Sequence, residues 1–331
     1  MTETRFDVLT IGNAIVDIIA STEDDFLVSE NIIKGAMNLI DDERAEHLYA
    51  AMGPAIEASG GSASNTAAGV ASFGGKAAYF GKVADDHLGG IFRHDIRAVG
   101  VHFESKPLTA PPPTARSMIF VTPDGERSMN TYLGACVELD SSDIEEEIVA
   151  TSKVTYFEGY LWDPPRAKEA IRLAAEIAHK HGRRYSMTLS DPFCVDRYRE
   201  EFLDLMRSRT VDIVFANESE VKSLYQTADF NSALEAFRAD CEIGIVTRSE
   251  LGSVVVTADE THAVEAHPIE KLVDTTGAGD LYAAGFLYGL TNDRNLSDCA
   301  KLGSLAAAIV IQQVGPRPSG SLKAAMQQEG L

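Results

Sequence analysis

Between residues 151 and 246 short β-type runs alternate with longer amphipathic stretches, and this rhythm leaves few folds open. The periodicity predicts strand Val154 to Glu158, helix Pro165 to His179, strand Arg184 to Leu189 and helix Val195 to Met206. It continues through strand Val211 to Phe215, helices Glu218 to Tyr225 and Ser232 to Arg238, and strand Glu242 to Val246. A strand followed by a helix crosses over and returns in its original direction, because a tight hairpin joins only antiparallel neighbours. Repeated crossovers build a parallel sheet covered by helices on both faces, an α/β architecture. Two more β runs, Gly252 to Thr257 and His262 to His267, and an Ala/Leu/Ile-rich helix, Asp298 to Gln312, extend it.

The first half carries the same elements with interruptions. Phe6 to Ala20 is a β-type run broken at Gly12-Asn13. "GGSASNTAAGVASFGG" reads as a glycine turn and a small-residue helix, with Ser62 or Ser64 as its expected cap. "KAAYFGKVA" is then a strand, and the following amphipathic helix ends with Gly100 in the C′ position. Ala115 to Val121 and Arg127 to Leu133 form a hairpin around Pro123-Asp124-Gly125. With Ile15 to Ile40 that hairpin is expected to make a small sheet standing off the main body. Residues 1–331 then form one domain, with lid segments at 13–40 and 103–135 inserted in it.

Charge narrows the partners. The chain has 29 Lys and Arg against 50 Asp and Glu, a net charge of −21, which argues against DNA or an anionic membrane. A small phosphorylated ligand held by backbone amides is still admitted. "DIEEE" reads as a solvated helix face. The four widely spaced cysteines make neither a zinc knuckle nor a disulfide framework, and suit a reducing compartment. No H-E-x-x-H pair, signal-type N-terminus or 18-residue apolar run is present, so a cytoplasmic location is expected.

"DTTGAGDLYAAG" places Gly277 and Gly279 where a turn meets a helix, so that several amide N–H groups can converge on an anion. Asp280 could then take a proton from a hydroxyl aimed at that anion, or simply cap the helix; spacing alone does not choose. A helix N-terminus is expected to lower its pKa and make it a weak base that works by position. Two other nucleotide motifs fail. "GVASFGGKA" has Gly75 where a P-loop needs Lys, and Tyr282 stands where a dinucleotide fingerprint needs its third glycine. Asn65, behind Gly60-Gly61, can bind hydroxyls of a ligand. Asp17 is an acid inside an apolar β run, costly unless it faces a partner or ligand. Asn217 and Glu220 lie three apart at a strand-to-helix junction, suited to a hydrated Mg²⁺ but by default an ordinary helix cap.

Taken in order, these motifs resemble the ribokinase/PfkB family of carbohydrate and nucleoside kinases over nearly the whole chain. "GGSASNTAAGVASFGGKAAYFGKVADDHLG" is similar to the family's N-terminal signature and "DTTGAGDLYAAGF" to its C-terminal one. The resemblance implies a Rossmann-like α/β domain, its central mostly parallel sheet covered by helices on both faces, with a small β-sheet lid. It implies Asp280 as catalytic base, with Gly277, Ala278 and Gly279 as an anion hole. Asn13, Asp17, Gly60, Gly61 and Asn65 then hold the substrate, and Asn217, Thr247, Gly252 and Thr275 the nucleotide side. Glu220 stands at the metal. ATP and Mg²⁺ are implied, and a response to a monovalent cation such as K⁺ whose ligands the sequence does not reveal. "TRSELG" departs from the T-x-G-x-x-G pattern at Ser249, which puts the turn near the phosphates in question.

Within the family, "GNAIVDI", "RSMNTYLGAC" and "EGYLWDPP" are more similar to the adenosine-phosphorylating members than to those acting on ribose. The implied reaction is transfer of the γ-phosphate of MgATP to a nucleoside 5′-hydroxyl, adenosine giving AMP, as in purine salvage. The alternative is a sugar kinase acting on ribose, fructose or a related sugar. Apolar and aromatic lid residues such as Met37 or Tyr132 could hold a base or could equally be packing residues. Monomer and homodimer both stay open, since a lid edge can stand free or pair with another.

Overall fold

In a computed structural model, described here for residues 3–331, strand β1 (Phe6–Ile11) runs second from one edge of an eight-stranded sheet. Parallel neighbours extend it on one side through β5 (Ala77–Phe80). On the other side they are β8 (Ser152–Glu158), β9 (Arg184–Thr188), β10 (Ile213–Asn217) and β11 (Ile243–Thr247). Antiparallel β12 (Ser253–Val256) and β13 (Thr261–Val264) finish that edge.

Period-two side chains seal the sheet on both faces. Val8, Tyr156, Phe215 and Ile245 point to one core, shared with α3 (Ser62–Ser72), α10 (Ala278–Thr291), α11 (Leu296–Val310) and α12 (Leu322–Gln328). Leu9, Phe157, Val214 and Val246 point to the other. There they meet α5 (Glu146–Ala150), α6 (Pro165–Lys180), α7 (Pro192–Arg207), α8 (Glu218–Leu224) and α9 (Phe230–Asp240). This is the mostly parallel sheet, covered on both faces, that the alternation predicted.

A second, five-stranded sheet has the order β3–β7–β6–β2–β4. Its strands are β2 (Ile15–Ser21), β3 (Met37–Leu39), β4 (Ile56–Gly60), β6 (Ala115–Val121) and β7 (Arg127–Tyr132). The outer face is covered by α1 (Asp24–Ser29) and α2 (Asp42–Ala51); Phe26 of α1 packs its ring 5.1 Å from that of Phe120. Helix α4 (His87–Ala98) lies where the sheets adjoin, closed by Gly100 at a φ of 91°.

Several boundaries moved. Strand β4 and helix α2 lie outside the segments 13–40 and 103–135 expected to make the small sheet. Helix α7 starts three residues early because Asp191 accepts from the Cys194 amide and Pro192 fits the first turn. Strand β10 starts late, since the Val211 amide is used to close α7 on Leu205. Neither serine caps α3. The residue before its first turn is Gly61 at a φ of 92°, and the Ser62 hydroxyl turns elsewhere.

Candidate active site

The carboxyl ends of β1, β8, β10 and β11 and the inner face of the small sheet enclose a cleft of about 1220 Å³. Open α/β sheets bind ligands at this end of their strands. Asn13, Asp17, Gly61, Asn65, Asn217, Glu220, Thr247, Gly252, Thr275, Gly277, Ala278, Gly279 and Asp280 all line it. Gly60 does not. It sits behind Asp17, and a Cβ on it would lie 2.3 Å from that carboxylate, so its part is to admit Asp17.

Asp280 is the third residue of α10 and keeps part of its surface open to the cleft. The Ser62 hydroxyl donates to its Oδ1 at 2.6 Å and the Asn65 amide to its Oδ2 at 3.0 Å. Burial pushes its pKa up, outweighing those two hydrogen bonds and the Arg317 charge that pull it down. The expectation of a lowered pKa is therefore overturned: desolvation among packed helices exceeds the helix-end effect. A carboxylate raised in this way is a better base than one at a solvated helix end.

The turn before Asp280 differs from the expected anion hole in one amide. Ala278 N–H donates to the Thr275 carbonyl at 3.2 Å, so it is already used. The N–H groups of Gly277, Gly279 and Asp280 have no acceptor among the described residues, so they could serve a ligand. Gly277 has a φ of 79°, and a Cβ there would meet Pro316 at 2.7 Å; only glycine permits this turn. Asp274 fixes its start by accepting from Thr276 N at 2.9 Å, Thr276 Oγ1 at 2.6 Å and Gly315 N at 2.9 Å. Arg127, from β7, reaches the same carboxylate, while its Nε and Nη2 are buried with no partner among the described residues.

At the opposite wall, Asn13 donates both its backbone N–H (3.0 Å) and its side-chain amide (2.7 Å) to Oε1 of Glu158. Oε2 of Glu158 accepts from Ala63 N at 2.7 Å, so one buried acid joins the end of β1 to the start of α3. Burial raises its pKa to about 7, against the lowering effect of those donors. Asp17 is raised to about 6, chiefly by burial, with Arg127 and Arg317 pulling it down.

Asn217 and Glu220 form a reciprocal capping box. Glu220 N donates to Asn217 Oδ1 at 2.8 Å, while Asn217 N and Nδ2 donate back at 2.9 and 2.6 Å. The default structural role is thus present, in a pair that also lines the cleft. Burial raises Glu220 to about 7. No group of three or more His, Cys, Asp or Glu among the described residues forms a ready cation cage. Ser249 adopts a φ of 51°, so the turn that the family pattern builds with glycine is kept here by a strained serine. Met37 lines the cleft, with Leu39 and Met129 beside it. Tyr132 does not; its ring lies under the Arg116 guanidinium at 5.8 Å.

Three residues of this site escaped the sequence reading. Glu158 had a usable signal, an acid ending an apolar strand, as Asp17 did inside one. Arg127 and Arg317 had none, because their partners lie 147 and more than 250 positions away.

The comparisons with known proteins fall in line with this geometry. The model of the pfkB family of carbohydrate kinases matches residues 54–323. The crystal structure of a probable sugar kinase from Rhizobium etli CFN 42 is 69% identical, covers 99% of each chain and superposes with a TM-score of 0.94. That of adenosine kinase from Sinorhizobium meliloti is also 69% identical, covering 98% of this chain and 100% of that one, with a TM-score of 0.93. Adenosine kinase 2 of Arabidopsis thaliana is 28% identical over 93% of this chain and 94% of its own.

Proposed function

We propose an activity from one established premise: the chain belongs to the pfkB family of carbohydrate kinases. It is a phosphotransferase with an alcohol as acceptor, and the acceptor is adenosine, phosphorylated on its 5′-hydroxyl at the expense of ATP. The observation that carries the phosphoryl-transfer reading is Asp280 held by Ser62 and Asn65 in the cleft, one residue beyond the free amides of Gly277 and Gly279. For a nucleoside over a bare sugar, the support is the inner face of the small sheet. Met37, Leu39 and Met129 offer apolar surface to a base in the same cleft that Asn13 and Asp17 line.

The residues present fit ATP. The amides of Gly277, Gly279 and Asp280 offer donors to a phosphate, Gly252 lines the same cleft with its α-carbon packed so closely on β13 that a Cβ would lie 2.0 Å from the Val264 carbonyl, and Ala307, Ala308 and Ile311 line an apolar recess. Bound MgATP supplies the phosphoryl group and the metal's charge, with Asn217, Glu220, Thr247 and Thr275 on that side of the cleft. Because Asn217 and Glu220 already satisfy each other, they suit a hydrated cation rather than a naked one.

In this reading the small sheet is a lid that closes over the ribose and excludes water. Asp17 and Asn65 fix the sugar so that its 5′-oxygen faces the anion hole. Asp280 takes the hydroxyl proton as the amides of Gly277, Gly279 and Asp280 stabilise charge on the phosphoryl group. Positioning and electrostatics then supply most of the rate.

A panel of nucleosides and sugars assayed for ATP consumption tests the substrate. Adenosine is expected to give the highest kcat/KM, and turnover of ribose or fructose with nucleosides untouched would overturn the choice. Asp280→Asn is expected to lower kcat by about 10²–10⁴-fold while adenosine affinity stays near normal. A variant keeping most of its turnover removes the base assignment.

A further inference from the structure

Arg317 lies in the loop after α11, outside every motif that marks the site, yet its half-buried side chain sets the guanidinium among the site's parts. Its Nε donates to Asn65 Oδ1 at 3.1 Å, its Nη1 to Ser59 Oγ at 2.6 Å and its Nη2 to Ser64 Oγ at 3.0 Å. Ser59 belongs to lid strand β4, and Ser64 and Asn65 to α3. Between them stand Gly60 and Gly61, whose carbonyls both accept from the Ser64 hydroxyl.

A guanidinium only donates, so the atom of Asn65 facing it must be the amide oxygen. The NH₂ group is then turned to Asp280, where it donates to Oδ2. Flipping the amide would set N–H against N–H on one side and oxygen against oxygen on the other. The charges around Asp280 sharpen the point. Asp17 from β2, Glu158 and Tyr156 from β8, and Tyr160 just beyond β8 all act on it or feel it as acids or phenols. Arg317 is the cation acting on it.

We infer that Arg317 is a positioning residue for the transfer step: it fixes the Asn65 amide so that Asn65 donates to Asp280, and it ties that arrangement to the lid through Ser59. This rests on the reading of Asp280 as base. The fork geometry matters as well as the charge, since three of its donors serve three different side chains.

The test compares Arg317→Gln and Arg317→Lys with the parent. Arg317→Gln is expected to lower kcat about tenfold with a much smaller change in adenosine KM. The acid limb of kcat/KM is expected to move to higher pH, because a cation and a fixed donor are lost from the ionised form of Asp280. Arg317→Lys is expected to move that limb less but to keep the kcat defect. The Asp280 carboxyl titration, followed by ¹³C NMR without substrate, is expected to shift upward in Arg317→Gln alongside the kinetic limb. A structural defect alone would lower activity without moving either midpoint. Unchanged midpoints with unchanged kcat overturn the inference. If Arg317→Gln does not fold, Arg317→Lys carries the test through its kcat-against-KM split. The NMR titration needs no turnover, so it decides the role of Arg317 even if no acceptor is phosphorylated, a result that would sink the kinase reading by itself.

Discussion

The eight-stranded body and the five-stranded lid use similar residues but bury them differently. In β10 and β11 every side chain is buried on one face or the other except the last, Asn217 and Thr247, which look into the cleft. In the lid, β2 alternates: Val16, Ile18 and Ala20 are buried, while Ile15, Asp17 and Ile19 on the other face are only half covered. β3 is more open still, with Met37 and Leu39 exposed. The body is therefore complete without a ligand, and the lid is complete only on its outer side. A sheet face that folding leaves uncovered is available for binding, and here it looks onto the ends of the body's strands.

The sharpest way to break this comparison is at the joint between the two regions. Gly61 sits between β4 and α3 at a φ of 92°, and a Cβ there would lie 2.2 Å from the Asn13 carbonyl. Gly61→Ala has to move backbone in both regions at once, and it is expected to cost about 3 kcal/mol or more by urea unfolding. It should also abolish turnover, because Asn13 and Asn65 both shift. A variant that unfolds like the parent would show that lid and body tolerate independent movement at that point.

How much was readable in advance follows the same division. Body strands are continuous apolar runs fed by helices, so their pattern survives whatever packs on them; β8, β9 and β11 lie within two residues of where the sequence placed them. In the lid, the hairpin of β6 and β7 was legible through its turn, but β4 was not. Its "IEASG" has one strong apolar residue, Ile56, and that one is exposed. Helix α2 carries a signal in Asp41, a capping residue that accepts from the Arg44 amide, and in the acids Asp42 and Glu43 of its first turn. The site's motif residues were legible because glycines and acids at strand ends are rare enough to stand out. Glu158 was as visible, but no spacing tied it to a motif. Arg317 could not be found, since what gives it meaning is a set of contacts made only by tertiary folding.

Protonation sharpens the comparison at intermediate size. Glu158 belongs to the body and is raised from 4.5 to about 7, while Asp17 belongs to the lid and is raised from 3.8 to about 6. Both bind protons more tightly folded than unfolded, so the unfolding free energy they contribute is full below their unfolded pKa values. It is lost as pH rises through their folded values. The stability advantage of the parent over Glu158→Gln should therefore shrink between pH 4.5 and about 7, measured by urea unfolding at each pH. Asp17→Asn should show the same trend more weakly, since Asp17 keeps a face open to the cleft. A difference that stays constant with pH would mean that Glu158 is ionised throughout.

The smallest effect on stability should accompany a clear effect on binding, and it comes from the lid's inner face. Met37 is 43% exposed and packs on little, so Met37→Ala is expected to change unfolding stability by no more than about 0.5 kcal/mol. If the same side chain covers a purine when the lid closes, truncating it removes apolar area that only the complex buries. About 1.4 kcal/mol of lost contact corresponds to a tenfold rise in adenosine KM. Because that contact holds in ground and transition states alike, kcat should stay nearly level. In the body the order reverses: Ile245→Ala, at a fully buried position, should cost about 2–5 kcal/mol of stability with little change in KM. A Met37→Ala enzyme with unchanged KM would place the base elsewhere in the cleft and leave the exposed lid face without its proposed use.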